Sequence, residues 1–231
     1  VLIEIDGPEC PIMDGSSFPI LETLEKVGLE EQNALRNFFE VPSSITYRDN
    51  DNNVEIAALP LDDYRVTVMV DYNSPVLGSQ HASLNNIGEF KDEISSSRTF
   101  CFLHELEALY KANLIKGGDL NNAIVVVDRE VKEGELDYLA DLFDKPKVSV
   151  QSEGILNNIE LRYNNEPARH KLLDMIGDLA LAGRPLKAQI LAARPGHASN
   201  VEFAKKLKRA MEAKNNQAPH YDPKLPPLFD A

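Results

Sequence analysis

His170, Asp174 and Asp178 recur every four residues along Arg169-His170-Lys171-Leu172-Leu173-Asp174-Met175-Ile176-Gly177-Asp178. On a helix that spacing stacks them on one face, one turn apart. An imidazole and a carboxylate on successive turns can grip one divalent cation, much as the paired histidines of a helical H-E-x-x-H motif do. Lys171 lies beside the pair as a ready cation. Leu172, Leu173, Met175, Ile176 and Leu179 take the remaining positions, so little of this helix would face water. A carboxylate row on so apolar a helix is costly unless it is paired or metal-bound. The bland alternative is a surface ion pair or a cap, the usual role of an isolated i,i+4 His/Asp pair.

Three further stretches carry reactive types. Gly196-His197-Ala198-Ser199-Asn200 puts a histidine in a loop just after an apolar strand, where α/β proteins carry reactive groups. Ser97-Arg98-Thr99-Phe100 sets a hydroxyl beside an aromatic ring, and Gly117-Gly118 is a loop where backbone can approach a ligand closely. A catalytic zinc site has three protein ligands and a water. His170 and Asp174 supply two. The third is open between His197, His81, His104 and a residue outside the chain. His197 also suits an electrophile, because an imidazolium can donate to a developing oxyanion, and Asp178 could keep it protonated. Residue types alone leave metal-assisted hydrolysis open beside the ion-pair or capping reading.

The elements that would position these groups follow from periodicity. Residues 166–181 form the main helix, with Pro167 in its first turn and Gly183 after it. Residues 186–193 are a strand, 194–197 a tight loop and 199–213 a closing helix whose basic residues Lys205, Lys206, Lys208 and Arg209 form a solvated face. Strands are expected at 1–5, 45–48, 54–59, 64–71, 80–84 and 123–127, with short ones at 148–150 and 159–163. Val66, Val68 and Val70 alternate with Arg65, Thr67 and Met69, which predicts a half-buried antiparallel strand. Helices are expected at 19–27, 87–96, 103–114 and 136–142, and 29–41 reads as a connector with some helical character.

Composition excludes some classes. The formal net charge of −13 disfavours nucleic-acid binding, which needs a basic surface. No apolar run reaches the length of a membrane span. Cys10 and Cys101 form no C-x-x-C motif and suit a reducing cytoplasm. The chain opens on a strand already under way, with no initiator Met and no leader, as if cut from something longer. From Asn215 onward Pro219, Pro223, Pro226 and Pro227 read as an extended linker.

Taken together, Ile12-Met13-Asp14-Gly15-Ser16, Ser97-Arg98-Thr99-Phe100, Gly117-Gly118, His170-Lys171-Leu172-Leu173-Asp174 with Gly177-Asp178, and Gly196-His197 with Asn200 resemble the UDP-3-O-acyl-N-acetylglucosamine deacetylase family, the zinc amidases of lipid A biosynthesis. The motifs keep the family's order from residue 1 to about residue 213. The resemblance implies an α+β fold of two similar domains, each a sheet with a helix layer. Residues 1–40 would be the remnant of the first domain. Residues 41–213 would be the second, with a β-α-β insert at about 101–134, and 214–231 the linker.

The implied roles are specific. His170 and Asp174 would bind Zn2+, and Lys171 would meet the substrate near the reacting carbonyl. His197 would stabilise the oxyanion or protonate the leaving amine, with Asp178 orienting it. Thr99 would hydrogen-bond the acetyl carbonyl or the intermediate. Phe100 and Gly118 would contact substrate, the insert would take the fatty acyl chain, and Asp14 would support the site from the first domain. The substrate would be a UDP-sugar bearing an acyl chain.

Two departures qualify the match. The family's third zinc ligand and its glutamate base lie in an H-x-x-E-H-like stretch upstream of Val1, so the 231-residue chain alone is expected to be inactive or nearly so. Cys101 stands where the family has glycine, which is expected to narrow the Phe100 wall. The tail around Pro219-His220-Tyr221-Asp222-Pro223 is similar to the linker of fused forms that continue into a 3-hydroxyacyl-carrier-protein dehydratase, which would make homo-oligomers expected. The rival reading is a scaffold that keeps the deacetylase fold without the chemistry.

Overall fold

The computed structural model describes residues 2–111, 122–144, 146–151, 154–157 and 159–217. The first elements are helix α1 (Phe18–Val27) and strands β1 (Phe39–Glu40), β2 (Ile45–Asp49), β3 (Val54–Pro60), β4 (Tyr64–Asp71) and β5 (Ser79–Leu84). A 3-10 turn at Ile87–Glu89 leads into the short α2 (Phe90–Glu93). Then come β6 (Phe100–Phe102), α3 (Leu103–Lys111), β7 (Ile124–Val126), α4 (Glu135–Leu142), α5 (Glu166–Ala180), β8 (Leu186–Ala193) and α6 (His197–Gln217). The fold is α+β, as the resemblance implied.

The main sheet runs β2-β3-β8-β4-β5, with β1 added to β8 in parallel. Its inner face carries Ile56, Ala58, Val66, Val68, Val70, Ala82, Leu84, Ala188 and Ile190, alternating with outward residues along each strand. Helix α5 answers with Ala168, Leu172, Met175 and Leu179, and α6 with Phe203, Leu207 and Met211. Those spacings form one apolar stripe per helix. Burying it fixes which way α5 faces, and the His170 and Asp174 positions fall at the edge of the buried stripe.

The second unit is parallel. Strands β6 and β7 pair in parallel through α3, the β-α-β arrangement expected near 101–134. Leu103, Leu106, Val125 and Val127 pack with Leu139 of α4 and with Leu156, so the cluster draws in residues later in the chain. On the other side of β6 and β7, Phe100, Phe102, Ile124 and Val126 pack with Leu77, Ile155 and Ile159.

Several expectations change. Residues 2–5 form no strand, and Leu2 is 82% exposed; a lone strand has no ladder partner among the described residues. Strand β4 is antiparallel to β5 but parallel to β8, because the chain returns through α5 before entering β8. The helix expected over 87–96 is only a 3-10 turn and one α-helical turn, since Ile94 leaves helical geometry at φ −124. Residues 29–38 contain no helix, and β1 follows them. Of the two short strands expected beyond β7, 148–150 gives one isolated bridge, Val150 to Leu156. Residues 159–163 form none, because side chains take their backbone groups: Arg98 donates to the Glu160 carbonyl at 2.5 Å, and the neighbouring Arg162 N–H donates to Glu166 at 2.6 Å. His197 is the first residue of α6 and not the end of a loop.

Gly117, Gly118 and the tail from 218 lie outside the described residues. No helix among the described residues is long and apolar enough to cross a membrane.

Candidate active site

Parallel neighbours β4 and β8 end on the same side of the sheet, the side where sheets of this kind place ligands. Tyr72 follows β4 and His197 follows β8. Arg194 locks the two strand ends together: its N–H donates to Met69 O at 2.7 Å and its guanidinium to Asp71 Oδ2 at 2.9 Å. Helix α5 crosses there with His170, Lys171, Asp174 and Asp178.

His170 and Asp174 are both buried, with His170 Nε2 3.4 Å from Asp174 Oδ1. His170 Nδ1 lies 3.0 Å from the Ser97 carbonyl, so Nδ1 carries the proton and donates, and Nε2 presents a lone pair toward Asp174. Burial pushes the His170 imidazole below the usual histidine range, against Asp174 and the Ser97 carbonyl, which pull the other way. A neutral ring with one nitrogen fixed on a carbonyl is the form that binds a divalent metal.

Lys171 Nζ donates to Asp174 Oδ2 at 2.9 Å and lies 5.3 Å from the Phe100 ring centre. The Phe100 ring also stands edge-on to His170, centroids 6.4 Å apart. His197 Nδ1 donates to Asp178 Oδ2 at 2.9 Å, and its Nε2 is 3.8 Å from Asp174 Oδ2. The hydrogen bond to Asp178 raises the His197 imidazolium above the usual range; burial opposes this, and the fields of Asp174 and Asp178 reinforce it. Two histidines that face the two oxygens of Asp174 are thus pushed in opposite directions.

The other expected residues are placed less directly. Thr99 N donates to Gly15 O and Thr99 O accepts from Ile124 N, which seats Thr99 between the N-terminal turn and β7. Asp14 is occupied by structural bonds: Ser16 donates to Oδ1 and Arg162 donates to Oδ2 at 2.9 Å. Burial would raise the Asp14 carboxyl, but the Ser16 and Arg162 bonds together hold it below its ordinary value. Arg162 also donates to Ser96 O, beside the carbonyl that anchors His170. Arg162 therefore ties Asp14 to the backbone beside Ser97. Cys101 packs with Leu103, Leu106 and Val125, while Phe100 and Phe102 pack on the opposite cluster. Alternation along β6 turns its thiol away from Phe100, so it does not narrow that wall. Burial, then Glu105, pushes this thiol up to about 12.

Of the candidates for a third ligand, His104 pairs with Asp128 at 3.4 Å and stacks on Phe102, and His81 is exposed on β5. Among the described residues no group of three or more histidine, cysteine or acidic side chains could hold a metal ion.

Sequence reasoning missed four residues that build the site. Glu166 is 0% exposed and pairs with buried Arg98 at 2.9 Å, tying the start of α5 to the Ser97-Arg98-Thr99 hinge. Tyr72 sets its ring edge-on to Phe100 and Phe102, and its buried hydroxyl has no hydrogen-bond partner among the described residues. Asn200 donates to Asp178. The signal for Arg98 and Asn200 lay in motifs already singled out; Glu166 and Tyr72 carried none.

A family profile described as UDP-3-O-acyl N-acetylglycosamine deacetylase, LpxC, matches residues 1–143 and 144–209. The chain belongs to this deacetylase family. It is similar to the bifunctional enzyme LpxC/FabZ of Chlorobaculum tepidum, 51% identical over 99% of this chain and 50% of the relative. The bifunctional enzyme LpxC/FabZ of Bacteroides thetaiotaomicron is 43% identical over the same shares. The UDP-3-O-acyl-N-acetylglucosamine deacetylase of Chlamydia pneumoniae is 35% identical over 92% of this chain and 67% of its own. The chain spans about half the length of the bifunctional relatives it matches.

Proposed function

We propose that the protein hydrolyses the acetamide of UDP-3-O-acyl-N-acetylglucosamine and releases acetate, with Zn2+ as cofactor. The observation that carries this is the convergence of two histidines on the Asp174 carboxylate: His170, fixed by the Ser97 carbonyl, has Nε2 3.4 Å from Oδ1, and His197, held by Asp178, has Nε2 3.8 Å from Oδ2. The names of the bifunctional and monofunctional relatives support the substrate and the reaction.

His170 and Asp174 fit a zinc ion by donor type, by the fixed tautomer of His170 and by the convergence of Nε2 and Oδ1. Bound there, zinc would supply Lewis acidity and a more acidic water. The chain's own residues do the rest. Lys171, held by Asp174 and the Phe100 ring, sets a positive charge where the amide oxygen becomes negative. Thr99 adds a neutral hydrogen bond to that oxygen. His197 hands its Nε2 proton to the departing amine nitrogen, and Asp178 holds the ring for that transfer. Phe100 and the β6-β7 unit line the path of the acyl chain and Asp14 supports the hinge, while a substrate contact at Gly118 rests on the family resemblance alone.

In domain terms, residues 1–40 would belong to one α+β unit and 41–213 to a second carrying the insert. The described residues hold two ligands, so the 231-residue polypeptide by itself should release little acetate. The bifunctional relatives support a fused dehydratase domain in the full-length protein; a homo-oligomer would follow from such a domain.

The test is acetate release from the UDP-sugar by full-length protein, with bound zinc measured alongside. Asp174→Ala should lower both zinc content and turnover. Folded protein that binds no zinc and releases no acetate would leave the non-catalytic scaffold reading in place.

A further inference from the structure

Asn200 is wholly buried in α6, and its side chain serves one charged neighbour. Its Nδ2 donates to Asp178 Oδ2 at 2.9 Å, the same oxygen that accepts His197 Nδ1 at 2.9 Å. Its Oδ1 is buried with no hydrogen-bond partner among the described residues. A bare buried carbonyl is unfavourable, and an apolar side chain of similar size would avoid it. The position is therefore used for its donor. The opposite amide orientation would set a carbonyl oxygen against a carboxylate oxygen, so the donor orientation is fixed.

The geometry points to Asn200 as a positioning residue for the His197–Asp178 pair. His197 begins α6 with its side chain 67% exposed, so packing does little to orient the ring. Its aim rests on the bond to Asp178, which projects from a different helix. His197 and Asn200 lie one turn apart on α6 and together clamp a single oxygen of α5. Asn200 N donates to Gly196 O at 2.9 Å, which fixes the residue within the first turn. Without the amide, the carboxylate is free to rotate about its side-chain bonds, and the imidazole turns with it. The inference rests on the proposed role of His197 as proton donor.

The experiment uses the full-length, zinc-loaded protein. Asn200→Ala is expected to lower kcat about tenfold through misaim of the proton donor, with KM and zinc content little changed. In an Asp178→Asn background the same substitution should lower kcat no further. Nitrogen-15 NMR of the His197 ring should show a proton fixed on Nδ1 in the parent and an averaged ring in Asn200→Ala. A full tenfold loss in the Asp178→Asn background, or unchanged kcat with an unchanged ring signal, overturns the proposal. If Asn200→Ala does not fold, Asn200→Ser is read in the same way; failure of both to fold makes Asn200 a core residue only and also overturns it. If the parent releases no acetate, the proposed function falls, and the ring signal alone decides the role of Asn200.

Discussion

Glu166 takes hydrogen bonds from the Arg98 guanidinium, the Arg98 N–H and the Arg162 N–H, all in a buried position. Burial would raise its carboxyl, yet these bonds together hold it below the ordinary glutamate value of 4.5. A carboxylate depressed in the folded state stabilises the fold above its unfolded pKa. That contribution is lost as pH falls from about 4.5 through the lower folded value. Glu166→Gln should therefore lower stability at neutral pH and flatten the acid limb of a urea-midpoint profile. Arg98→Ala, which leaves a buried charge alone, should cost about 3–5 kcal/mol in the same measurement. An acid limb unchanged by Glu166→Gln would disprove the assignment. Tyr72 runs the other way. Its hydroxyl is buried without a partner, so Tyr72→Phe should leave stability within about 1 kcal/mol or raise it, by thermal melting. The difference in legibility between such residues is physical. His170, Asp174 and Asp178 could be read because the helical repeat links residues four apart. Glu166 and Arg98 are separated by 68 positions and His170 and Ser97 by 73, and only the fold brings them together.

At the scale of elements, α5 serves both the core and the chemistry. Its Ala168-Leu172-Met175-Leu179 stripe packs on the sheet, which leaves the His170-Asp174-Asp178 row facing α6 and the Ser97 hinge. The apolar stripe was legible as 3.6-residue periodicity, and so were the long strands β3, β4 and β8. The lack of a strand at residues 2–5 was not, because a short apolar run cannot reveal whether a partner edge exists. The hinge itself depends on an N-terminal turn. Gly15 has φ +85, and a Cβ there would come 1.9 Å from Asn122 O. Its carbonyl accepts from Thr99 N at 2.8 Å. Gly15→Ala combines a left-handed backbone with a clash against backbone, so the turn must move away from Thr99 and β7. Slower acetate release by Gly15→Ala, with zinc content retained and melting lowered by only a few degrees, is the expected signature. Wild-type turnover in that variant would show that Thr99 does not depend on the turn.

At the scale of the molecule, among the described residues, the main sheet with α5 and α6 forms one core and the β6-β7 unit forms two smaller clusters. Tyr72 and Phe100 sit where these meet: Tyr72 packs against both the main core and the cluster that holds Phe100. The proposed zinc ligands lie on α5 and face that seam, so metal binding couples to the packing between the two parts. A ligand that binds only the folded state adds about 2.7 kcal/mol at a free concentration one hundred times its Kd. Each kcal/mol moves Tm by about 2–4 °C for a chain of roughly 150–250 residues, and by less for a longer one. Zinc should therefore raise the Tm of the full-length, metal-stripped protein by a few degrees. His170→Ala and Asp174→Ala should abolish the rise, because each removes a ligand. Phe100→Leu should keep it, because that ring contacts His170 and Lys171 through its edge and face without offering a donor. A zinc-dependent rise that survives Asp174→Ala would place the metal elsewhere and remove α5 from the metal site.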